Sequence, residues 1–116
     1  MNLSGKTAVI TGGGTGIGWA IAKAFHGAGA KVGIAGRRIE KLTEAAQQCG
    51  GERPIVCHTV DVADRDSANE MISWMNSELG QIDILVNSAG TNIKDRTMAD
   101  MAPEDWDKVM QINATG

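Results

Sequence analysis

The sequence predicts an α/β fold, a parallel sheet with helices on both faces. Short apolar runs alternate with helical patterns from one end of the chain to the other. The runs are almost continuously hydrophobic, as strands covered on both faces are. The first run passes straight into a glycine-rich stretch that opens a helix. Strands joined by right-handed helical crossovers lie parallel, and a glycine turn after strand one predicts the strand order 3-2-1-4. No repeat, low-complexity tract or linker interrupts the pattern, so residues 1–116 read as one domain or a part of one.

Lys6 to Thr11 is the first strand. Ile17, Ala20, Ile21, Ala24, Phe25 and Ala28 then recur at the spacing of a helix with one buried face, which Gly27 and Gly29 weaken and end. Lys31 to Ala35 forms strand two, and Gly36-Arg37-Arg38 is the turn after it. Ile39, Leu42, Ala45, Ala46 and Cys49 mark a second helix, closed by Gly50-Gly51. Pro54 to Val60 gives a third strand, starting at a proline as a strand edge allows. Asp64 is placed to cap a third helix, whose stripe is Ala68, Met71, Ile72, Met75 and Leu79. Gly80 ends it.

Ile82 to Val86 is the fourth strand, with Asp83 near its start, and Asn87-Ser88-Ala89-Gly90 is the following turn. After a polar stretch, Pro103 suits the first position of a last helix, with Glu104 and Asp105 favourable at its positive end. Trp106, Val109, Met110 and Asn113 fall on its inner face, and Met71, Met75 and Met110 read as core. That helix stops at Ala114-Thr115-Gly116 without a capping sequence, and strand four is left as an exposed apolar edge. Both features predict the amino-terminal half of a longer protein.

Of the 116 residues 42% are hydrophobic and 22% charged, which suits a soluble globular domain. A formal net charge of −3 gives no electrostatic reason to expect nucleic acid or an acidic membrane as partner. No apolar run approaches the ~20 residues of a membrane span. The first residues hold no signal-peptide apolar segment, and Cys49 and Cys57 are not in C-x-x-C spacing, so a cytoplasmic location is expected. His26 and His58 have no partner at metal-ligand spacing, so no metal site is expected.

Chemistry is concentrated at Thr11-Gly12-Gly13-Gly14-Thr15-Gly16-Ile17-Gly18. At a strand-to-helix turn the first helical N–H groups lack partners and the helix dipole favours negative charge, so a phosphate group is held there. Glycine permits the tight turn, close approach to a pyrophosphate, and packing of helix on strand. The spacing Gly12-x-x-x-Gly16-x-Gly18 is not the common G-x-G-x-x-G fingerprint, and a P-loop is excluded because Trp19 stands where its lysine must be.

These residues resemble the short-chain dehydrogenase/reductase family over nearly the whole chain. Thr11-Gly12-x-x-x-Gly16-x-Gly18 resembles its cofactor turn, and Asp61-Val62 after strand three resembles its adenine-contacting Asp and neighbour. Asn87-Ser88-Ala89-Gly90 resembles its Asn-Asn-Ala-Gly motif, with Ser88 departing from the second Asn. Asn113, seven residues after Trp106, matches its helix-borne active-site Asn, which positions a water in the family. The resemblance implies a Rossmann-type doubly wound sheet, here truncated, and hydride transfer between nicotinamide and a carbonyl or alcohol carbon. It also implies a small-molecule substrate, with a 3-oxoacyl thioester as the leading candidate, and a homo-oligomer when complete. The family's later Ser and Tyr-x-x-x-Lys do not occur, and the sequence has no tyrosine at all. The 116 residues alone are therefore expected to be inactive. The other readings are a non-catalytic NADP-binding or protein-interaction module and a truncated product without a role of its own.

The resemblance assigns cofactor contact to Thr11, Gly12, Gly14, Thr15, Gly16, Ile17, Gly18, Arg37, Arg38, Asp61, Val62, Asn87, Ala89 and Gly90. Arg37 and Arg38 follow strand two, where NAD sites place a carboxylate for the ribose hydroxyl, and no acid stands at positions 36 to 38. Arginine instead offers charge-assisted forked bonds to a 2′-phosphate, so NADP is expected over NAD. Asp61 also reads as a simple turn residue, and Asn87 as a tie between strands. Asn113 also fits an inward helical Asn bonded to nearby backbone.

Overall fold

The computed structural model describes residues 2–12, 16–49, 53–61, 63–88 and 110–113. Eight elements run in the order β1 (Thr7–Thr11), α1 (Gly16–Gly27), β2 (Lys31–Gly36), α2 (Ile39–Gln47), β3 (Val56–Thr59), α3 (Arg65–Leu79), β4 (Ile84–Asn87) and β5 (Met110–Asn113). The sheet is entirely parallel in the order β3-β2-β1-β4-β5. The expected order 3-2-1-4 is therefore present, with one more strand beyond it. Strand three is shorter than its sequence suggests, because pairing starts at Val56 rather than at Pro54, which has no N–H to give.

The strand period of two divides the apolar residues between two faces. Ala8, Ile10, Val32, Ile34, Ile84 and Val86 form one core with Ala22 of α1 and Leu42 and Ala45 of α2. Val9, Ala35 and Leu85 form the other with Met71, Ile72, Met75 and Leu79 of α3. Gly33 lets α3 approach closely, since a Cβ there would collide with the Met75 sulfur and stand 3.0 Å from Leu79 Cδ1. Helices thus cover both faces.

Specific polar contacts set the element ends. Asp64 caps α3, its carboxylate accepting from the backbone N–H of Asp66 (3.0 Å) and Ser67 (3.4 Å). The Asp83 carboxylate accepts from the Thr7 N–H at 2.9 Å, and its own N–H returns a 2.9 Å bond to the Thr7 carbonyl, aligning β4 with β1. The Arg53 guanidinium donates to the carbonyls of His26 (3.2 Å) and Ala30 (3.1 Å), closing the end of α1.

The carboxy-terminal segment corrects the sequence reading. Met110 to Asn113 is a strand and not the inner face of a helix, and Met110, expected in the core, is 61% exposed. Pro103, Trp106 and Val109 lie outside the described residues. The physical reason is the edge of β4, whose backbone donors and acceptors need a partner. Residues 110–113 satisfy that ladder, pairing Ile84 with Met110 and Asn87 with Asn113. Ile112 also packs against the core that holds Ile84 and Val86. The expected bare edge at β4 is thus covered.

Met75 is fully buried against Gly33, so Met75→Ala should destabilise by about 2–5 kcal/mol through lost burial and a residual cavity. Asp64→Ala should cost only ~1 kcal/mol, the value of a helix cap. Denaturant unfolding of the two variants checks the ranking.

Candidate cofactor-binding site

Parallel register brings the ends of the strands into one row. Thr11 pairs with Ala35 of β2 and Asn87 of β4, Ala35 pairs with His58 of β3, and Asn87 pairs with Asn113 of β5. From β1 the chain order runs one way to β2 and the other way to β4, so the row crosses a topological switch point. Ligands of open α/β sheets bind at that place, outside the carboxyl ends of the strands.

The turn leaves β1 through Gly12 (φ 68°) and enters α1 at Gly16 (φ 61°), backbone that residues with a Cβ rarely adopt. Gly14 and Thr15 lie outside the described residues. Gly18 is buried in the first turn of α1. A Cβ there would collide with the Gly12 carbonyl oxygen and stand 2.5 Å from Ser88 Oγ. No acidic side chain occupies the first turn of α1, so its positive end is not neutralised from within. This bare cradle suits the pyrophosphate of a dinucleotide, held by backbone N–H groups. Ile17, 46% exposed, stands on the same turn.

Beside the cradle, the buried Thr11 hydroxyl lies 2.9 Å from Asn87 Oδ1 and 3.4 Å from the Val86 carbonyl. Thr11 and Asn87 therefore tie β1 to β4, which realises the structural reading of Asn87. Arg37 and Arg38 are exposed immediately after β2, and among the described residues neither guanidinium has an ion-pair partner. Arg38 is also the residue from which α2 starts, with no side-chain capping bond. Asp61 is exposed after β3, its Oδ1 accepting from the Ala63 N–H (3.0 Å) while its own N–H donates to Ser67 Oγ (2.9 Å). It is thus a turn residue with its carboxylate at the surface, and capping falls to Asp64.

Val62, Ala89 and Gly90 lie outside the described residues. Asn113 falls at the end of β5 opposite Asn87, not on a helix. The hydrogen bond of Ser88 to Thr11 in the site, and that of Arg53 to the far end of α1 outside it, are contacts that sequence reasoning did not give. Ser88 had a signal, its departure from the resembled motif, whereas nothing in the pattern around Arg53 pointed to α1. Away from the row, burial raises the Cys57 thiol above its ordinary pKa, and Sγ donates to the Leu42 carbonyl at 3.4 Å.

The family model described as short chain dehydrogenase matches residues 6–116. The chain belongs to that family. It is 39% identical over 114 residues to an uncharacterized oxidoreductase of Staphylococcus aureus (strain USA300), a match covering 98% of this chain and 48% of that protein. The chain spans about half the length of the curated relatives it matches. A short-chain type dehydrogenase/reductase from Mycobacterium marinum superposes with a TM-score of 0.80 at 32% identity, over 87% of this chain and 50% of that one. The Pseudomonas aeruginosa RhlG/NADP active-site complex gives 0.77 at 26% identity, over 86% and 46%. A 3-ketoacyl-(acyl-carrier-protein) reductase from Brucella melitensis complexed with NADH gives 0.78 at 26% identity, over 85% and 49%. Members of this short-chain family bind a nicotinamide cofactor, and the cradle fits one.

Gly18→Val should abolish dinucleotide binding, because the branched side chain would drive α1 away from the Gly12 carbonyl. Calorimetric titration, with folding checked by circular dichroism, tests this. Binding retained by a folded variant would show that the turn is only a flexible loop.

Proposed function

We propose that this chain is the NADP-binding half of an oxidoreductase that interconverts a carbonyl and an alcohol. The observation that carries the reading is the placement of Arg37 and Arg38 directly after β2, the strand next to β1, with no carboxylate at positions 36 to 38. When bound, the nicotinamide supplies or accepts the hydride. The chain's own part is to bind and orient. The backbone of Gly12, Gly14, Thr15, Gly16, Ile17 and Gly18 holds the pyrophosphate, and the two arginines receive the 2′-phosphate. Asp61 and Val62 contact the adenine, and Asn87, Ala89 and Gly90 line the nicotinamide side. Asn113 is the one member of the family's catalytic set in this sequence, and its role is to position a water.

A 3-oxoacyl thioester is the proposed substrate, supported by the name of the Brucella neighbour. The whole protein is proposed to be a homo-oligomer in the cytoplasm, acting on a small molecule and not on nucleic acid or a membrane. Two free thiols support that location, and no helix among the described residues is long and apolar enough to cross a membrane.

One observation favours a second reading, a non-catalytic NADP-binding or interaction module: the 116 residues contain no tyrosine. These residues supply no candidate for the family's general acid, and acid catalysis alone contributes ~10²–10⁴-fold. The intact mass of the natural protein separates the two readings, since the first requires further sequence carrying Tyr-x-x-x-Lys. The 116 residues by themselves should show no NADPH-dependent reduction of ketones or 3-oxoacyl thioesters above background. Turnover by a purified sample would overturn the assignment of the acid to a tyrosine outside them.

Cofactor choice gives the direct test. A charged hydrogen bond is worth ~1.5–3 kcal/mol, so NADP should bind roughly tenfold to a hundredfold more tightly than NAD. Replacing both arginines, Arg37→Ala with Arg38→Ala, should erase most of that preference and leave NAD affinity nearly unchanged. Equal affinities in the unsubstituted protein would reject the arginine assignment.

A further inference from the structure

Ser88 holds the peptide unit from which the cofactor turn departs. It follows β4 directly, and its hydroxyl donates to the Thr11 carbonyl at 2.6 Å. Its backbone N–H reaches the same oxygen at 3.3 Å. The Thr11 carbonyl and the Gly12 N–H belong to one planar peptide. That N–H donates to the Ala35 carbonyl of β2 at 2.7 Å. The plane is therefore gripped from both neighbouring strands, at its oxygen by Ser88 and at its hydrogen by Ala35. Rotating it would break bonds on both sides.

The space around the hydroxyl is equally constrained. Ser88 Oγ lies 3.0 Å from where a Cβ on Gly12 would stand and 2.5 Å from where one on Gly18 would stand. The end of β4, the start of the turn and the first turn of α1 thus converge on one oxygen. The family pattern that this segment resembles carries Asn here. A serine places its donor one bond beyond Cβ, the reach that this gap accepts.

We propose that Ser88 is a positioning residue for the cofactor turn: its hydroxyl orients the Thr11–Gly12 peptide and so sets where the N–H groups of α1 meet the pyrophosphate. This rests on the reading of the turn as a dinucleotide cradle. It does not involve Arg37 and Arg38, which stand on a different connection after β2.

Two probes separate positioning from general support. NADP carries the pyrophosphate, whereas 2′,5′-ADP carries the 2′-phosphate without it. In the natural protein, Ser88→Ala should raise the Kd for NADP roughly three- to tenfold, the worth of one hydrogen bond, and change that for 2′,5′-ADP by less than about twofold. Should Ser88→Ala fail to fold, Ser88→Cys, which keeps the volume and a weak donor, is expected to show the same selective loss in smaller degree. Unchanged NADP affinity, or equal losses for both probes, would overturn the positioning role while leaving the cofactor assignment standing. If the unsubstituted protein binds neither probe, the dinucleotide reading fails and this inference fails with it.

Discussion

The architecture depends on a contact that only a missing side chain permits. The Gly12 carbonyl occupies the place where Gly18 would carry a Cβ, so α1 begins against the end of β1 with nothing between them. An α-helix cannot aim its free N–H groups at a ligand beside the sheet unless its first turn lies that close. Moving α1 outward by one methyl group would also disturb the packing of Ala22 against the core of Ile10 and Ile34. One close approach thus serves both the cradle and the core beneath it.

The rest of the site follows from parallel register. Each strand hands over to its turn at the same level, so Thr11, Ala35, His58 and Asn87 form a line and the segments after them share one edge of the sheet. Below that line the side chains alternate between two dry layers, and Thr11 and Asn87 are the buried polar residues that top them. Their mutual hydrogen bond meets the requirement that buried polar groups be paired. It also locks β1 to β4 where the chain direction divides.

How much of this was legible in the sequence varies with the physics behind each element. α1 and α3 were plain because Ile17 to Ala28 and Ala68 to Leu79 keep helical spacing over three turns or more. The cap at Asp64 was readable as a local rule, since its partners lie two and three residues away. Met110 to Asn113 was misread as helix because four residues carry little periodicity, and their pairing with Ile84 to Asn87 is a contact between distant parts of the chain. Arg53 was invisible for the same reason, reaching His26 across 27 positions. The site followed the same division. Its glycines were legible as a pattern, but the grip of Ser88 on Thr11 spans 77 positions and appears only once β4 lies beside β1.

The division between backbone and side chain also underlies the proposed cofactor selection. A side chain at Gly18 would meet a steric collision with the Gly12 carbonyl rather than a weaker contact. Arg37 and Arg38 are exposed and belong to neither core. Exposed charges are screened by salt and lose side-chain entropy on binding, which trims the worth of each contact. Two adjacent guanidiniums offset that weakness, since a phosphate accepts several forked bonds at once. Both stand at the start of α2, where Arg38 makes no side-chain capping bond. In the proposed reading, affinity for the pyrophosphate resides in the backbone of the first turn, and preference for NADP in Arg37 and Arg38 on the second connection.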